Sequence, residues 1–284
     1  MGNKRARDRQ LAKLAARRQA ERRAQQRRRS RIVVIVAVVT IGLAGTGLWV
    51  LAADDEPSAA PSSQPAASPS SESERPGTVK NEADIPADVA CGASAPRDAE
   101  SAKPQFANPP PQRIDPEAAY TAMITTSCGD IAVELDPANT PIAVNNFVFL
   151  ARKGFYDGLW IHRDAPGFVI QGGDPLGTGL GGPGYGFTIE SNAKLRFADH
   201  PYLLAYANNG QPDSNGSQFF ITVGEQEALD PPNGPYTAFG TVVEGQDVID
   251  TINGLKTADN GQGEQSLPLE AVYIESVTVE EEKA

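Results

Sequence analysis

The apolar pattern divides the chain at two points. Ile32 to Ala53 reads IVVIVAVVTIGLAGTGLWVLAA, 22 residues without a charge. As a helix rising about 1.5 Å per residue it would span about 33 Å, enough for a bilayer core of about 30 Å. After residue 117 the apolar positions come instead in short runs bounded by turn residues. Runs at Tyr120–Thr126, Ile131–Leu135, Phe187–Glu190, Leu203–Ala207, Gln218–Val223, Tyr236–Val242 and Ala271–Val279 predict strands. Two more extended runs, Leu159–Ile161 and Gly167–Ile170, flank a Pro-containing turn in WIHRDAPGFVIQGGD. Val144, Phe147, Val148 and Ala151 repeat at helical spacing, with Thr140 to cap, Pro141 in the first turn and Gly154 at the end. A second helix is expected over Gln246–Asn253, carrying Val248, Ile249 and Ile252. Many short strands and two helices predict a mainly β domain over 118–284, a closed antiparallel barrel.

Between span and domain, residues 54–117 are rich in Pro, Ser, Ala and Glu. Such a composition buries too little apolar surface to offset chain entropy, so a disordered, semi-extended linker is expected. Charge sharpens the division. Residues 1–31 carry 13 Lys/Arg and 2 Asp/Glu, so the formal net charge of -11 leaves -22 for the rest. Arginines before the span and acids after it place the basic tail in the cytoplasm and the domain outside. The rival is a cleaved signal peptide, whose apolar region is usually about 7 to 15 residues. The tail reads as a solvated basic segment beside the membrane. Anionic-lipid or nucleic-acid binding is the sharper alternative, but no aromatics are interleaved for stacking, so no nucleic-acid partner is expected.

The chain has two cysteines and two histidines. They lack metal-ligand spacing, and no metal is expected. Cys91 lies in the linker and Cys128 in a hairpin turn. Outside the membrane the two can form a disulfide that pins linker to domain, the alternative being two unrelated thiols.

Strand alternation predicts that Ile161 and Arg163 share one face, and that Val169 and Gln171 share one. Pairing of these strands would put a fixed cation beside an apolar pocket, with His162 on the opposite face, in the core. The loop at Gly172–Gly186 contains GTGLGG. Pro183 and Gly184 forbid the helix that a dinucleotide site needs there, so it reads as a structural surface loop.

Trp160 to Asp174 resembles the cyclophilin signature, a Phe-His-Arg run before Pro-Gly-Phe and Gln-Gly-Gly-Asp. Tyr206 to Phe220, YANNGQPDSNGSQFF, resembles that family's second signature. The resemblance covers roughly Tyr120 to Val279. It implies eight strands, a helix capping each end and a binding groove on the outer face. It also implies a peptidyl-prolyl cis-trans isomerase, here of a bacterial, membrane-anchored kind, with no cofactor. Position by position, Arg163 matches the catalytic arginine. Phe168, Val169, Phe220 and Leu229 match the apolar wall of the proline pocket. Gln171 matches the glutamine that binds substrate backbone, and Ala207 and Asn208 match the strand edge that pairs with the peptide. Tyr236 stands where many members have histidine, and Ala228 where many have tryptophan.

These readings converge on an enzyme that speeds X-Pro isomerisation during extracytoplasmic protein folding. Its expected partners are Pro-containing segments of secreted or cell-envelope proteins and, through residues 32–53, the lipid bilayer. It is expected to work as a monomer. The alternatives are a non-catalytic module that holds Pro-containing peptides and, more remotely, an adaptor using its basic tail.

Overall fold

A computed structural model describes residues 78–79, 81–99, 101–231 and 235–282. The expected basic tail (1–31), membrane span (32–53) and start of the linker (54–77) lie outside the described residues. Among those that are described, no helix is long and apolar enough to cross a membrane.

The domain begins with a long hairpin, β3 (Ala119–Thr126) and β4 (Gly129–Leu135), registered from Tyr120–Leu135 to Thr126–Gly129. Inward residues alternate along β3: Tyr120, Ala122, Ile124 and Thr126 are buried. Helix α1 (Pro141–Arg152) follows and buries Val144, Phe147 and Val148, as its spacing predicts. Its N-terminus is not capped as expected. The Thr140 hydroxyl donates to the Asp136 carbonyl at 2.8 Å. The free N–H groups of Ile142 and Ala143 instead donate to the Glu190 carboxylate, at 3.1 and 2.7 Å. A carboxylate there suits the positive end of the helix dipole.

Strands β5 (Arg163–Ala165), β6 (Val169–Gly172), β7 (Leu203–Tyr206), β8 (Phe219–Thr222) and β9 (Ala238–Glu244) come next, then helix α2 (Gln246–Asn253) and β12 (Ile274–Glu282). All eight strands from β3 on, bar a short hairpin of β10 (Thr257–Asp259) and β11 (Gln265–Pro268), join one antiparallel sheet. Its order is β12-β3-β4-β9-β7-β8-β6-β5. The eight strands of this sheet and the two α-helices among the described residues are as expected, but the sheet is open rather than a closed barrel. Its end strands β12 and β5 share no ladder. An isolated Trp160–Tyr273 bridge and bonds from Gly158 N to Ile274 O, Ile161 N to Val272 O and Ile274 N to Leu159 O link the chain leading into β5 with the region of β12. Phe187–Glu190, expected as a strand, makes one bridge, Phe187 to Asn215.

The sheet wraps a core in which Phe147, Tyr156, Tyr206, Phe219 and Phe239 interlock with ring centroids 4.5 to 5.8 Å apart. On the other face of β6, β7 and β8 lies a separate apolar cluster that includes Val169, Leu203, Ala205 and Phe220. Alternation decides the split. Ile170, Leu204, Phe219 and Ile221 point to the core, and their neighbours point out.

The expected linker needs correcting where it is described. Cys91 is bonded to Cys128, with Cα atoms 5.2 Å apart, and Ala90 is buried. Ala271 exchanges bonds with this segment: Ala90 N donates to Ala271 O at 2.9 Å, and Ala271 N to Asp88 O at 2.8 Å. Short strands β1 (Thr78–Val79) and β2 (Lys103–Pro104) pair with each other. Glu82 N donates to Leu176 O and Phe106 N to Pro183 O. Pro- and Ala-rich composition disfavours a self-standing core. It does not prevent a segment from borrowing one through a cross-link and backbone bonds.

Candidate active site

The turn between β5 and β6 pairs Arg163 with Gln171, Asp164 with Ile170 and Ala165 with Val169. Arg163 and Gln171 therefore project together from the outer face, as the alternation within each strand requires. The Arg163 Nη1 donates to Gln171 Oε1 at 3.1 Å, and its guanidinium carbon lies 5.7 Å from the Phe168 ring centre. Gln171 Nε2 donates to Gln218 Oε1 at 3.0 Å. Gln218 Nε2 in turn donates to the carbonyls of Gly179 and Gly181, at 2.9 and 2.8 Å. A line of polar groups thus runs from the cation to the glycine-rich loop.

Beside this line sits the outer apolar cluster. Val169, Phe220 and Leu229 are buried in it, with Phe168, Ala207 and Tyr236 packed at its margin. Phe220 meets Tyr236 edge-on at 5.4 Å and stacks on Phe197 at 6.1 Å. Burial raises the Tyr236 phenol above its ordinary pKa, and the nearby Arg163 charge pulls the other way. Six of the sequence-predicted positions thus share one apolar surface, with Arg163 and Gln171 at its edge. Asn208 stands just beyond the end of β7. Its side chain is spent on the turn: Nδ2 donates to Asn215 Oδ1 (3.1 Å) and Pro235 O (3.0 Å), and Oδ1 accepts from Gly210 N (3.0 Å). Ala228 is exposed beside the cluster.

The sequence assigned Ile161 and His162 to the wrong faces. Ile161 packs in the core, and its methyl lies where a Gly172 side chain would go. His162 Nε2 sits 3.5 Å from Gln171 Nε2, against the outer polar line. Regular alternation starts only at Arg163, because the residues before it bond to the chain leading into β12 and bend across the sheet's gap. Burial lowers the His162 pKa to about 4; Asp174 opposes this and Arg163 adds to it. The imidazole is neutral at pH 7.

The glycine-rich loop is structural, as expected. It folds around the buried Asp174, whose carboxylate accepts from Leu176 N at 2.8 Å and Gly179 N at 2.5 Å. A side chain at Gly181 would fall 2.0 Å from Asp174 Oδ1, so only glycine fits. A carboxylate already accepts from these N–H groups, and an anion there would be repelled.

Three residues of the site escaped the sequence reading. Phe197 reaches the cluster from a turn without periodicity. Gln218 lies inside the second signature but shows its role only through its contacts. Glu264 comes from the loop of the β10–β11 hairpin, in the polar stretch DNGQGEQS, which carries no strand signal. Its carboxylate grips Arg163 on two atoms, Nε to Oε2 at 2.9 Å and Nη2 to Oε1 at 2.7 Å. Among the described residues, no group of three or more His, Cys, Asp or Glu is arranged to hold a metal.

A match to the family of cyclophilin type peptidyl-prolyl cis-trans isomerases extends over residues 120–279, more than half of the chain. The chain belongs to this family. Peptidyl-prolyl cis-trans isomerase A of Mycobacterium tuberculosis is 45% identical over 181 residues, which cover 58% of this chain and 94% of the relative. Peptidyl-prolyl cis-trans isomerase B of Streptomyces anulatus is 44% identical over 176 residues, covering 56% and 95%. Among solved structures, the Cryptosporidium parvum cyclophilin type isomerase, in the presence of the dipeptide Ala-Pro, superposes with a TM-score of 0.51. It is 32% identical and covers 56% of this chain and 98% of that one. The chain is a peptidyl-prolyl cis-trans isomerase whose cyclophilin domain carries an additional disulfide-pinned segment on its N-terminal side.

Proposed function

We propose that this cyclophilin acts outside the cytoplasm, held at the membrane by residues 32–53, and isomerises X-Pro bonds in proteins that fold there. The observation that supports the chemistry is a guanidinium held at the rim of an apolar, outward-facing pocket. A peptide bond resists rotation by about 18–20 kcal/mol because resonance gives its C–N bond double-bond character. When the X-Pro bond twists, resonance is lost and the prolyl nitrogen regains a lone pair. A catalyst must favour that state over both planar ones. Arginine suits the task, since it stays charged and offers a rigid set of five N–H donors. Three of these are engaged by Glu264 and Gln171. One on each terminal nitrogen is left to meet the lone pair or the turning carbonyl.

In this reading the cluster of Phe168, Val169, Phe220, Leu229 and Tyr236 receives the proline ring. Gln171 and the chain at Ala207–Asn208 hold the flanking backbone, so that one end of the bond turns while the other stays. The solution of the Cryptosporidium relative's structure in the presence of Ala-Pro fits a pocket for a residue-proline pair. No cofactor enters the scheme. The disulfide between Cys91 and Cys128 favours an oxidising location.

Two measurements test the proposal. Exchange spectroscopy on a short X-Pro peptide, with the full chain in detergent, should show acceleration that collapses in Arg163→Ala. A folded parent that binds the peptide without accelerating it would return the choice to a holding module. For location, a membrane-impermeant protease added to intact cells should release the domain. Protection of the domain would place it inside.

A further inference from the structure

The hairpin of β10 and β11 lies against β5, and its loop delivers Glu264 to the Arg163 side chain. The contact is built rather than incidental. Glu264 and Arg163 side chains are 28% and 26% exposed, so the pair is largely withdrawn from solvent without being sealed. Glu264 Oε2 also accepts from the Ser266 hydroxyl at 2.9 Å and from Asn260 Nδ2 at 3.4 Å. The loop is tied internally: Gly261 N donates to Asp259 Oδ1, and Gln262 N and Glu264 N to Asn260 Oδ1. Asn260 N closes it on Glu264 O at 2.9 Å. Burial alone would raise the Glu264 carboxyl. The hydrogen bond and charge of Arg163, with the Ser266 hydroxyl, outweigh it and hold the pKa below its ordinary value.

We propose that Glu264 is a positioning residue for catalysis: it clamps the Nε–Nη2 edge of Arg163 so that the opposite end of the guanidinium faces the proline pocket. The inference rests on Arg163 being the catalytic cation. An arginine side chain has several rotatable bonds and would otherwise sweep a wide arc, with an entropic cost to order it. A bidentate carboxylate fixes both the position and the plane of the fork. Gln171 fixes the third N–H from the other side. Arg163 is thereby oriented before substrate arrives, and the twisted bond meets donors that need no rearrangement.

The test uses the full chain in detergent, with kcat and KM for a short X-Pro peptide measured in the parent, Glu264→Gln, Glu264→Asp and Arg163→Ala. Gln is isosteric with Glu and sits on a part-exposed loop, so the fold is retained; amide spectra check this. A misplaced catalytic group costs up to about 100-fold, so kcat in Glu264→Gln should fall about 10-fold or more, with KM within about 2-fold. Glu264→Asp should recover part of the loss. The Arg163 Nε–H resonance, protected from solvent exchange in the parent, should exchange rapidly in Glu264→Gln, which a merely structural role for the hairpin would not produce. Unchanged or increased kcat in Glu264→Gln would overturn the proposal, as would a rise in KM with kcat intact. Full activity in Arg163→Ala would instead remove the catalytic reading of Arg163 and this proposal with it. Loss in Arg163→Ala beside an unaltered Glu264→Gln would sink the clamp alone.

Discussion

The two faces of β5 treat their charged residues in opposite ways. On the outer face, Arg163 has three N–H groups matched to Glu264 and Gln171 and stays partly open to solvent. One residue on, at the inner face, Asp164 is buried with a single partner on Oδ1, Asn253 Nδ2 at 2.5 Å, and its Oδ2 has none. Burial raises its pKa to about 6, against which the Asn253 bond works. On the other side of Arg163, the His162 Nδ1 is also buried without a partner. Hydrogen-bonding capacity in this strand is concentrated on the side chain that faces the pocket. On either side of it burial works against charge: it holds the His162 imidazole neutral at pH 7 and raises the Asp164 carboxyl towards neutral pH.

The strongest way to sharpen this contrast is Arg163→Ala. We expect a loss of about 10²- to 10³-fold in kcat, comparable with removing one preorganised donor elsewhere, while the unfolding midpoint moves little. A protein that loses stability but not rate would reverse the roles of the two faces. Next comes the Cys91–Cys128 bond, which closes a loop over a sequence separation of 37. Reduction should lower stability by about 3–4 kcal/mol in chemical denaturation while kcat stays within about 2-fold, because the cross-link touches neither face of β5.

The third test is pH dependence. Between about pH 4 and 6 native Asp164 keeps a proton that the unfolded chain, at its ordinary 3.8, releases. Stability therefore falls as pH rises through that window, by on the order of 2–3 kcal/mol. His162 has the opposite sign: its native pKa of about 4 lies below the ordinary 6.5, so the unfolded chain binds the proton and stability rises with pH over the same range. In the parent the two largely offset each other. Asp164→Asn should expose the His162 contribution, so that urea midpoints climb from pH 4 to 6.5. A flat profile in that variant would contradict the His162 assignment, and a parent profile that climbs as steeply as the variant's would contradict that of Asp164. The smallest effect expected is from Gln171→Leu, which unties Arg163 Nη1 and Gln218 together. A drop of about 10-fold in kcat/KM corresponds to about 1.4 kcal/mol, the scale of one hydrogen bond to a charged group. A fall no greater than 2-fold would show that Glu264 alone orients the arginine.

Much of the fold could be read from apolar spacing. The β3–β4 hairpin, α1 and α2 follow from it within a residue or two. The pocket residues could be read from the resemblance, and the structure does bring Phe168, Val169, Phe220, Leu229 and Tyr236 together. Ile161 and His162 were misplaced because alternation holds only inside a paired strand, and β5 is three residues long. The β10–β11 hairpin was missed because its residues, TAD and QSLP, are half-exposed and carry too few apolar positions to show a period. Composition makes the described residues between 81 and 117 read as a disordered linker, with the cysteines its one possible pin, because most of their order comes from partners far along the sequence.

The sequence by itself determined the mainly β class, the two helices, the outward placement of Arg163 with Gln171 and the family. All of these rest on short-range periodicity or on contiguous motifs. Only the tertiary structure decided that the sheet stays open, that the described part of the linker is stapled down, and that Glu264 grips Arg163 from 101 residues away. Such contacts leave no local trace. An ion pair or a cross-link needs only two compatible side chains, and which two meet is settled by how the intervening chain packs.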